Sequence, residues 1–185
     1  VVYNAFEKVV NCSFESDSDL NKKEISIQVN HVCAWTRLEN TPRELKLMNN
    51  STFSTLIIRI GEKNNDLVDF SIQSSEALDT LKANIIKNFG VSQEILASGV
   101  ISIKNKKYIY LKASGKTDNI FNLTETYYYV LSNRIITLFS FVFDEDKSKL
   151  EDRFKIAHTN LLTLLNGIEF IYQPNLFPIN FYNKR

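Results

Sequence analysis

Few side chains of this 185-residue chain could perform nucleophilic or acid–base chemistry. The chain contains two histidines, His31 and His158, and two cysteines, Cys12 and Cys33. His31 precedes Cys33 closely and could act as the base of a Cys–His pair, but no third group that would orient it is evident. His158 falls inside a predicted helix beside an apolar face, which is typical of a surface or boundary residue. We therefore predict no catalytic residue.

The sequence motifs of several enzyme classes are absent. The chain has no Gly-x-Ser-x-Gly, no Gly-x-x-x-x-Gly-Lys and no His-Glu-x-x-His, which mark hydrolases, phosphate-binding loops and zinc proteases. No cysteines or histidines stand at the short spacing of a zinc site. The sequence predicts a protein that is not an enzyme and that uses no cofactor and no metal. A hydrolase is the distant alternative.

The cysteines admit two interpretations. They are either two inert thiols or a disulfide between Cys12 and Cys33, which would stabilise the fold by roughly 3 kcal/mol and indicate an oxidising compartment. The sequence begins at Val1 rather than at a methionine, which predicts a removed leader or a fragment of a longer chain. We predict the disulfide and an exported protein, whether periplasmic, lipoprotein-type or secreted. A cytoplasmic protein with reduced thiols is the alternative.

Composition narrows the class of partner. Hydrophobic residues make up 44% of the chain, and 22 basic residues nearly balance 21 acidic ones, for a formal charge of +1. This balance gives no general attraction to nucleic acid, and no apolar run is long enough to span a membrane. The predicted partner is another protein or a peptide, while the oligomeric state stays open.

Hydrophobic periodicity predicts the elements that must position these side chains. Helical spacing appears at residues 75–89 and 147–166, and hairpins dominate elsewhere, so the sheet should be mainly antiparallel. Residues 135–143 are apolar on both alternating faces and need cover above and below. The predicted fold class is α+β, an antiparallel sheet covered by helices on its faces (an α/β/α sandwich). Strands are predicted at residues 25–29, 33–36, 44–48, 55–60, 108–113, 123–131 and 135–143, with a short exit at 168–170.

Special backbone conformations are predicted at three positions. Gly90 stands where a left-handed residue would end the first helix. Asn105 and Asn133 lie in two hairpin turns, where asparagine tolerates positive φ.

Aromatic side chains supply the candidate binding surface. The chain has 8 Tyr and 13 Phe, and core packing is the default role for such rings. The alternative is an aromatic-lined groove for a peptide or an apolar ligand, with Tyr127 and Tyr129 as candidate contacts.

A tail follows the predicted single domain of residues 1–171. Residues 172–185 contain two prolines and several large apolar side chains, which would form a contact patch if left in water. Proline holds the segment extended, so we predict that it packs at a groove or sheet edge of its own domain or of a partner. Its candidate contact residues are Phe177, Phe181 and Tyr182.

Several stretches share one family's order of apolar strands and turns. They are Ile25-x-Ile27-x-Val29 with Trp35 soon after, Ser98-Gly99 before Ile101-x-Ile103-x-Asn105, Tyr108-x-Tyr110, Tyr127-Tyr128-Tyr129, residues 135–143, and Asn166-Gly167-Ile168-Glu169-Phe170. Over about residues 25–170 the chain resembles the Mog1/PsbP-like fold family, which includes a photosystem oxygen-evolving subunit, a yeast Ran-binding protein and exported bacterial proteins. It departs from the family's Tyr-Pro-x-x-Trp pattern, because residues 30–35 contain no proline.

The resemblance implies an α/β/α sandwich and a non-catalytic role. It predicts a binding or accessory protein of the bacterial cell envelope. The alternative is a cytosolic adaptor or chaperone that binds a partner protein.

Overall fold

The computed structural model describes residues 11–15, 25–32, 35–38, 44–49, 51–52, 54–67, 74–90 and 92–172. Within these ranges the chain forms ten strands and two helices. The helices are α1 (Ser75–Lys87) and α2 (Lys147–Leu165). The strands are β1 (Asn11–Glu15), β2 (Ile25–Val32), β3 (Trp35–Arg37), β4 (Glu44–Asn49), β5 (Thr55–Ile60), β6 (Gln93–Ile103), β7 (Lys106–Thr117), β8 (Ile120–Leu131), β9 (Arg134–Asp144) and β10 (Ile168–Tyr172).

The strands form two antiparallel sheets. The large sheet has seven strands in the order β3-β4-β5-β9-β8-β7-β6, and the small sheet has three in the order β1-β2-β10. All pairings in both sheets are antiparallel. The four successive strands β6 to β9 pair through two-residue turns, as antiparallel strands can. The predicted α+β class with a mainly antiparallel sheet is confirmed.

Each face of the large sheet has its own cover. Alternation along a strand sends neighbouring side chains to opposite faces. On one face α2 and the small sheet pack together, with Leu161 and Ile27 fully buried in the same cluster as Leu138 of β9. On the other face α1 packs its Leu78 against Val130 of β8. This arrangement gives the predicted sandwich, with the small sheet as an additional part of one outer layer.

Cover on the α1 face stops short of one end of β9. Phe139, Phe141 and Phe143 stack in a row, with ring centroids 5.4 and 6.2 Å apart. Phe143 is 55% exposed, because α1 is only 13 residues long and lies over the other end of the sheet. Among the described residues, the prediction that this strand is covered on both faces is therefore wrong at Phe143.

Local hydrogen bonds explain where α1 begins and ends. Ser74 Oγ accepts from the N–H of Ala77 at 3.2 Å and caps the start of α1. At the other end Asn88 donates from its backbone N–H and from Nδ2 to the carbonyl of Asn84. No described glycine has positive φ, so the prediction of a left-handed Gly90 is wrong. The asparagine terminates the helix instead.

Three hairpin turns each place positive φ on the residue that precedes an asparagine. The residues are Lys104 (φ 51°), Asp118 (φ 54°) and Ser132 (φ 56°). The prediction that Asn105 and Asn133 take positive φ is therefore wrong. In a two-residue hairpin turn with a single positive φ, the first central residue carries it, as in a type II′ turn.

Candidate functional site

A groove of about 540 Å³ opens between α2 and the β6–β7 end of the large sheet. Strands β6, β7 and β8 form its floor and one wall, and α2 forms the other wall. We call it the tyrosine groove. Its lining residues are Ile101, Ser102, Ile103, Lys104, Tyr110, Tyr127, His158, Leu162 and Asn166.

The floor of the tyrosine groove is aromatic because tyrosines oppose each other across two strands. Tyr110 of β7 pairs with Tyr127 of β8, and their ring centroids are 5.1 Å apart. Tyr108 meets Tyr127 edge to face, at 6.0 Å and 90°. Burial raises the pKa of Tyr110 to about 12 and raises that of Tyr127 further. Both hydroxyl groups therefore stay neutral at physiological pH and act as hydrogen-bonding groups.

A buried carboxyl group lies next to this floor, on the same face of the sheet. Glu125 of β8 is 1% exposed. The Tyr127 hydroxyl donates a hydrogen bond to its Oε2 at 3.0 Å, and Nδ1 of His158 lies 2.7 Å from the same oxygen. Among the described residues, none hydrogen-bonds to its Oε1. An acidic side chain buried this deeply needs such partners, and α2 supplies one of them.

The cluster around Glu125 joins α2 to the sheet. Burial raises the pKa of Glu125, while hydrogen bonding and charge from His158, the Tyr127 hydroxyl and the positive charge of Lys112 oppose part of the rise. Lys112 is the cross-strand partner of Glu125, and its Nζ lies 4.2 Å from the ring centroid of Phe154 on α2. That ring stacks on His158, with centroids 5.8 Å apart.

Helical spacing brings His158 to this place. It follows Phe154 by one turn and precedes Leu161 by just under one turn, and both of those residues are buried. The His158 side chain is 36% exposed, so it lies at the boundary between the cluster and the groove.

Sequence reasoning missed Glu125, although a signal was present. Glu125 has the same parity in β8 as the buried residues Leu123 and Tyr127, and alternation therefore directs its side chain into the core. A carboxylate in an inward register predicts a buried partner on the opposing layer. His158, on the apolar face of α2, was the available candidate.

The hydrogen bond with Glu125 can hold the His158 imidazole in one orientation. Nucleophilic catalysis would further require a hydroxyl or thiol hydrogen-bonded to the imidazole. In the part of the chain that the structure describes, no hydrogen bond joins His158 to a hydroxyl or thiol group, although Ser102 lines the same groove. What the arrangement supplies is a neutral aromatic floor with a few polar groups at one wall.

Other predicted site residues fall in several places. Tyr127 lies in the groove, whereas Tyr129 stacks on Phe170 of β10 at 5.1 Å and does not line it. The backbone of Cys12 pairs with that of His31 between β1 and β2. Three tail residues and one cysteine lie outside the described residues, so the tail contacts and the disulfide stay predictions. They are Cys33, Phe177, Phe181 and Tyr182.

A larger opening, of about 600 Å³, lies beside α1. Exposed polar side chains such as Asn64, Asp66 and Glu76 form much of its lining. It has neither the aromatic floor nor the adjoining buried carboxyl group of the tyrosine groove, which is therefore the better candidate site.

Two further observations concern metals and membranes. Within the described ranges, His, Cys, Asp and Glu side chains do not gather in groups of three or more that could hold a metal ion. Neither α1 nor α2, the helices that the structure describes, has the length and apolar character needed to cross a membrane.

Comparison with known proteins identifies the fold. No protein-family model matches the chain, and no curated protein matches it. The Ran-binding protein Mog1p of Saccharomyces cerevisiae is 13% identical with a TM-score of 0.53, and the match covers 86% of this chain and 94% of that one. LpqN of Mycobacterium tuberculosis, involved in cell envelope biogenesis, is 9% identical with a TM-score of 0.50, covering 88% and 92%.

A structure from Bacteroides thetaiotaomicron matches at 12% identity and a TM-score of 0.49, and this chain spans 44% of its length. At these identities the matches to Mog1p and LpqN establish the architecture and leave function open. The element order and the layers described above agree with the resemblance seen in the sequence. The chain has the Mog1/PsbP-like fold.

Proposed function

We propose that this protein is a non-catalytic binding module that holds an apolar or extended segment of a partner protein in the tyrosine groove. The observation that carries the proposal is the composition of that groove, an aromatic floor beside a wall of apolar and polar side chains. Ligand-binding pockets usually have this composition: apolar and aromatic side chains form most of the lining, and a small number of polar groups fix the orientation of the ligand.

The apolar part of the groove supplies binding free energy. Tyr110 and Tyr127 form the floor, and Ile101, Ile103 and Leu162 extend it toward β6 and α2. Aromatic side chains contribute large contact areas with few rotatable bonds, so ordering them on binding costs little entropy. An apolar partner segment would displace water from this surface.

The polar part of the groove supplies orientation. His158 is held through Nδ1 by Glu125, and Asn166 and Ser102 line the same space. These groups can hydrogen-bond to the backbone of a bound segment. A segment bound in this way would be recognised by its apolar side chains and held in register by its main chain.

Proteins that share the fold have roles consistent with this proposal. Mog1p is a Ran-binding protein, and LpqN is involved in cell envelope biogenesis. We propose an exported protein that acts as a binding or accessory component of the bacterial cell envelope. The alternative is a cytosolic adaptor. Cell fractionation of the native protein separates the two, because they require opposite compartments.

The Glu125–His158 pair favours one second candidate, a hydrolase that uses His158 as its base. A substrate screen that finds turnover in the wild type, and loses it in His158→Ala, would support that candidate. The binding proposal expects no such turnover.

Selection from a displayed library of short random peptides tests the binding proposal. We expect peptides with alternating apolar residues to be enriched. Leu162→Asp places a charge in the groove wall and should weaken binding of the selected peptides by about tenfold or more, because an apolar segment would have to desolvate the carboxylate. Titration calorimetry measures the affinities.

Ile156→Asp is the matched control. Ile156 lies on the same helix, is exposed and does not line the groove, so its substitution should leave affinity unchanged. Failure to enrich any peptide over an unrelated protein would overturn the proposal. Equal affinity of the wild type and Leu162→Asp would overturn it as well.

A further inference from the structure

Strand β6 is a long edge of the large sheet in the part of the chain that the structure describes. It has 11 residues and pairs with β7 on one side. Its one charged residue, Glu94, and a shift in its register between Ile95 and Ala97 lie near its start. It contains no lysine and no proline, and farther along it Val100 is 39% exposed. Natural edge strands are usually short, charged, proline-bearing or covered. The opposite edge, β3, meets this requirement by having 3 residues.

The C-terminal segment starts near the end of the sheet where β6 turns into β7. Glu169 of β10 forms an ion pair with Lys106 at 3.3 Å. Lys106 begins β7 directly after the turn that ends β6, and β10 ends at Tyr172, three residues beyond Glu169. Residues 173–185 span roughly 40 Å when extended, and β6 spans roughly 36 Å. Because β10 lies in the outer layer, roughly 10 Å of this length must bridge to the edge, and the remainder is long enough to run along most of β6.

The segment's sequence fits an outermost strand. In a strand, the N–H groups of alternate residues point to opposite sides. Pro174 and Pro178 have the same parity, so one register turns both ring nitrogens away from the neighbouring strand, the position in which an edge strand tolerates proline. The same register directs the N–H groups of Asn175, Phe177 and Ile179 toward that neighbour.

We propose that residues 173–185 pair with β6 of the same molecule as an additional edge strand, with Pro174 and Pro178 on the outer side. The large apolar residues Phe177, Ile179 and Phe181 then share one face. The two prolines remove N–H groups from the outer side of this strand, which disfavours the pairing of a further strand. This inference goes beyond the proposed function, because it concerns the backbone edge of β6, whereas the tyrosine groove is lined by side chains of β6, β7, β8 and α2.

Amide hydrogen exchange on the full chain, followed by NMR, tests the proposal. The amides of β6 that face away from β7 should exchange at least about tenfold more slowly than exposed amides, at all protein concentrations. Asn175→Pro removes an inward N–H and should release them to fast exchange. Asn180→Pro is the matched control, because it makes the same replacement at the opposite parity and should leave them protected.

Fast exchange of these amides in the wild type would overturn the proposal without any variant. Protection that disappears on dilution would overturn it by showing that the strand comes from a second copy. Protection that survives Asn175→Pro would also overturn it. The amides shared by β7 and β8 report global folding in every variant. Failure of the peptide selection leaves all these readouts unaffected.

Discussion

At the scale of residues, the buried Glu125 defines the chemistry of the site. Its carboxyl group is desolvated, which raises its pKa, and it relies on the Tyr127 hydroxyl and the His158 ring for hydrogen bonds. A buried group with these partners ties two layers of the fold together. Removing one partner leaves the other buried without its hydrogen bond. The free-energy cost of that unpaired group typically exceeds the net stabilisation that the bond provides.

The pH dependence of stability should report this burial. Below the ordinary carboxyl pKa of 4.5, Glu125 is protonated in both the folded and the unfolded chain. Above it the unfolded chain releases the proton, while the folded chain retains it up to its raised pKa. Over that interval the free energy of unfolding should fall by up to about 1.4 kcal/mol per pH unit.

Glu125→Gln should remove this contribution, so the variant should gain stability relative to the wild type as pH rises above 4.5. Urea unfolding across a pH series measures the difference. Tyr127→Phe is the control. It keeps the carboxyl group but loses a hydrogen bond that lowers the pKa of Glu125, so the decrease in the free energy of unfolding should extend to higher pH. Parallel pH profiles for the wild type and Glu125→Gln would contradict the assignment.

At the scale of elements, Gly167 explains how α2 connects to the small sheet. The N–H of Asn30 in β2 donates to the carbonyl of Gly167 at 2.8 Å, and β10 begins at the next residue. A Cβ atom at Gly167 would overlap the carbonyl oxygen of Asn30. Glycine is required here for close backbone approach rather than for positive φ.

Gly167→Ala should therefore destabilise the protein, by about 1–3 kcal/mol, as overpacking generally does. Gly90→Ala is the matched control, because the nearest atom to its added Cβ is Ser92 Oγ at 3.9 Å and its φ is not positive. That variant should be neutral or more stable by up to about 1 kcal/mol. Thermal unfolding measures the stability of both variants. Equal changes in stability for Gly167→Ala and Gly90→Ala would contradict the role of Gly167 in close backbone approach.

At the scale of the whole molecule, two antiparallel sheets and two helices form the described layers. The small sheet shares its core with α2, since Ile27 of β2 and Leu161 of α2 are buried in one cluster. β1 attaches to this layer only through β2 among the described strands. A covalent link between Cys12 of β1 and Cys33, which follows β2, would fix that attachment.

We expect Cys12 and Cys33 to form a disulfide in the native protein. Intact-mass measurement should show a mass lower by two hydrogens than that of the reduced chain, and alkylation without reductant should modify neither thiol. Cys12→Ser should leave one alkylatable thiol and lower the stability by roughly 3 kcal/mol in the chain-entropy model. Two alkylatable thiols in the unreduced wild type would refute the pairing.

The sequence alone determined the elements and their class. Strand-length runs rich in apolar residues located β5, β8 and β9, and helical spacing located α1 and α2, to within a few residues. Periodicity is a local property, because each residue's burial depends on its position within its own strand or helix. Short turns between successive strands were enough to predict antiparallel pairing. The order of elements was then enough to indicate the Mog1/PsbP-like fold.

Only the tertiary structure decided what the elements bring together. Glu125 and His158 are 33 residues apart, and their contact depends on the register of β8 and on where α2 docks across it. The position of positive φ within each hairpin turn depends on the turn geometry that joins two twisted strands, so it fell on Lys104 and Ser132 rather than on the asparagines. A groove exists only between packed layers, and no local pattern encodes the space that they enclose.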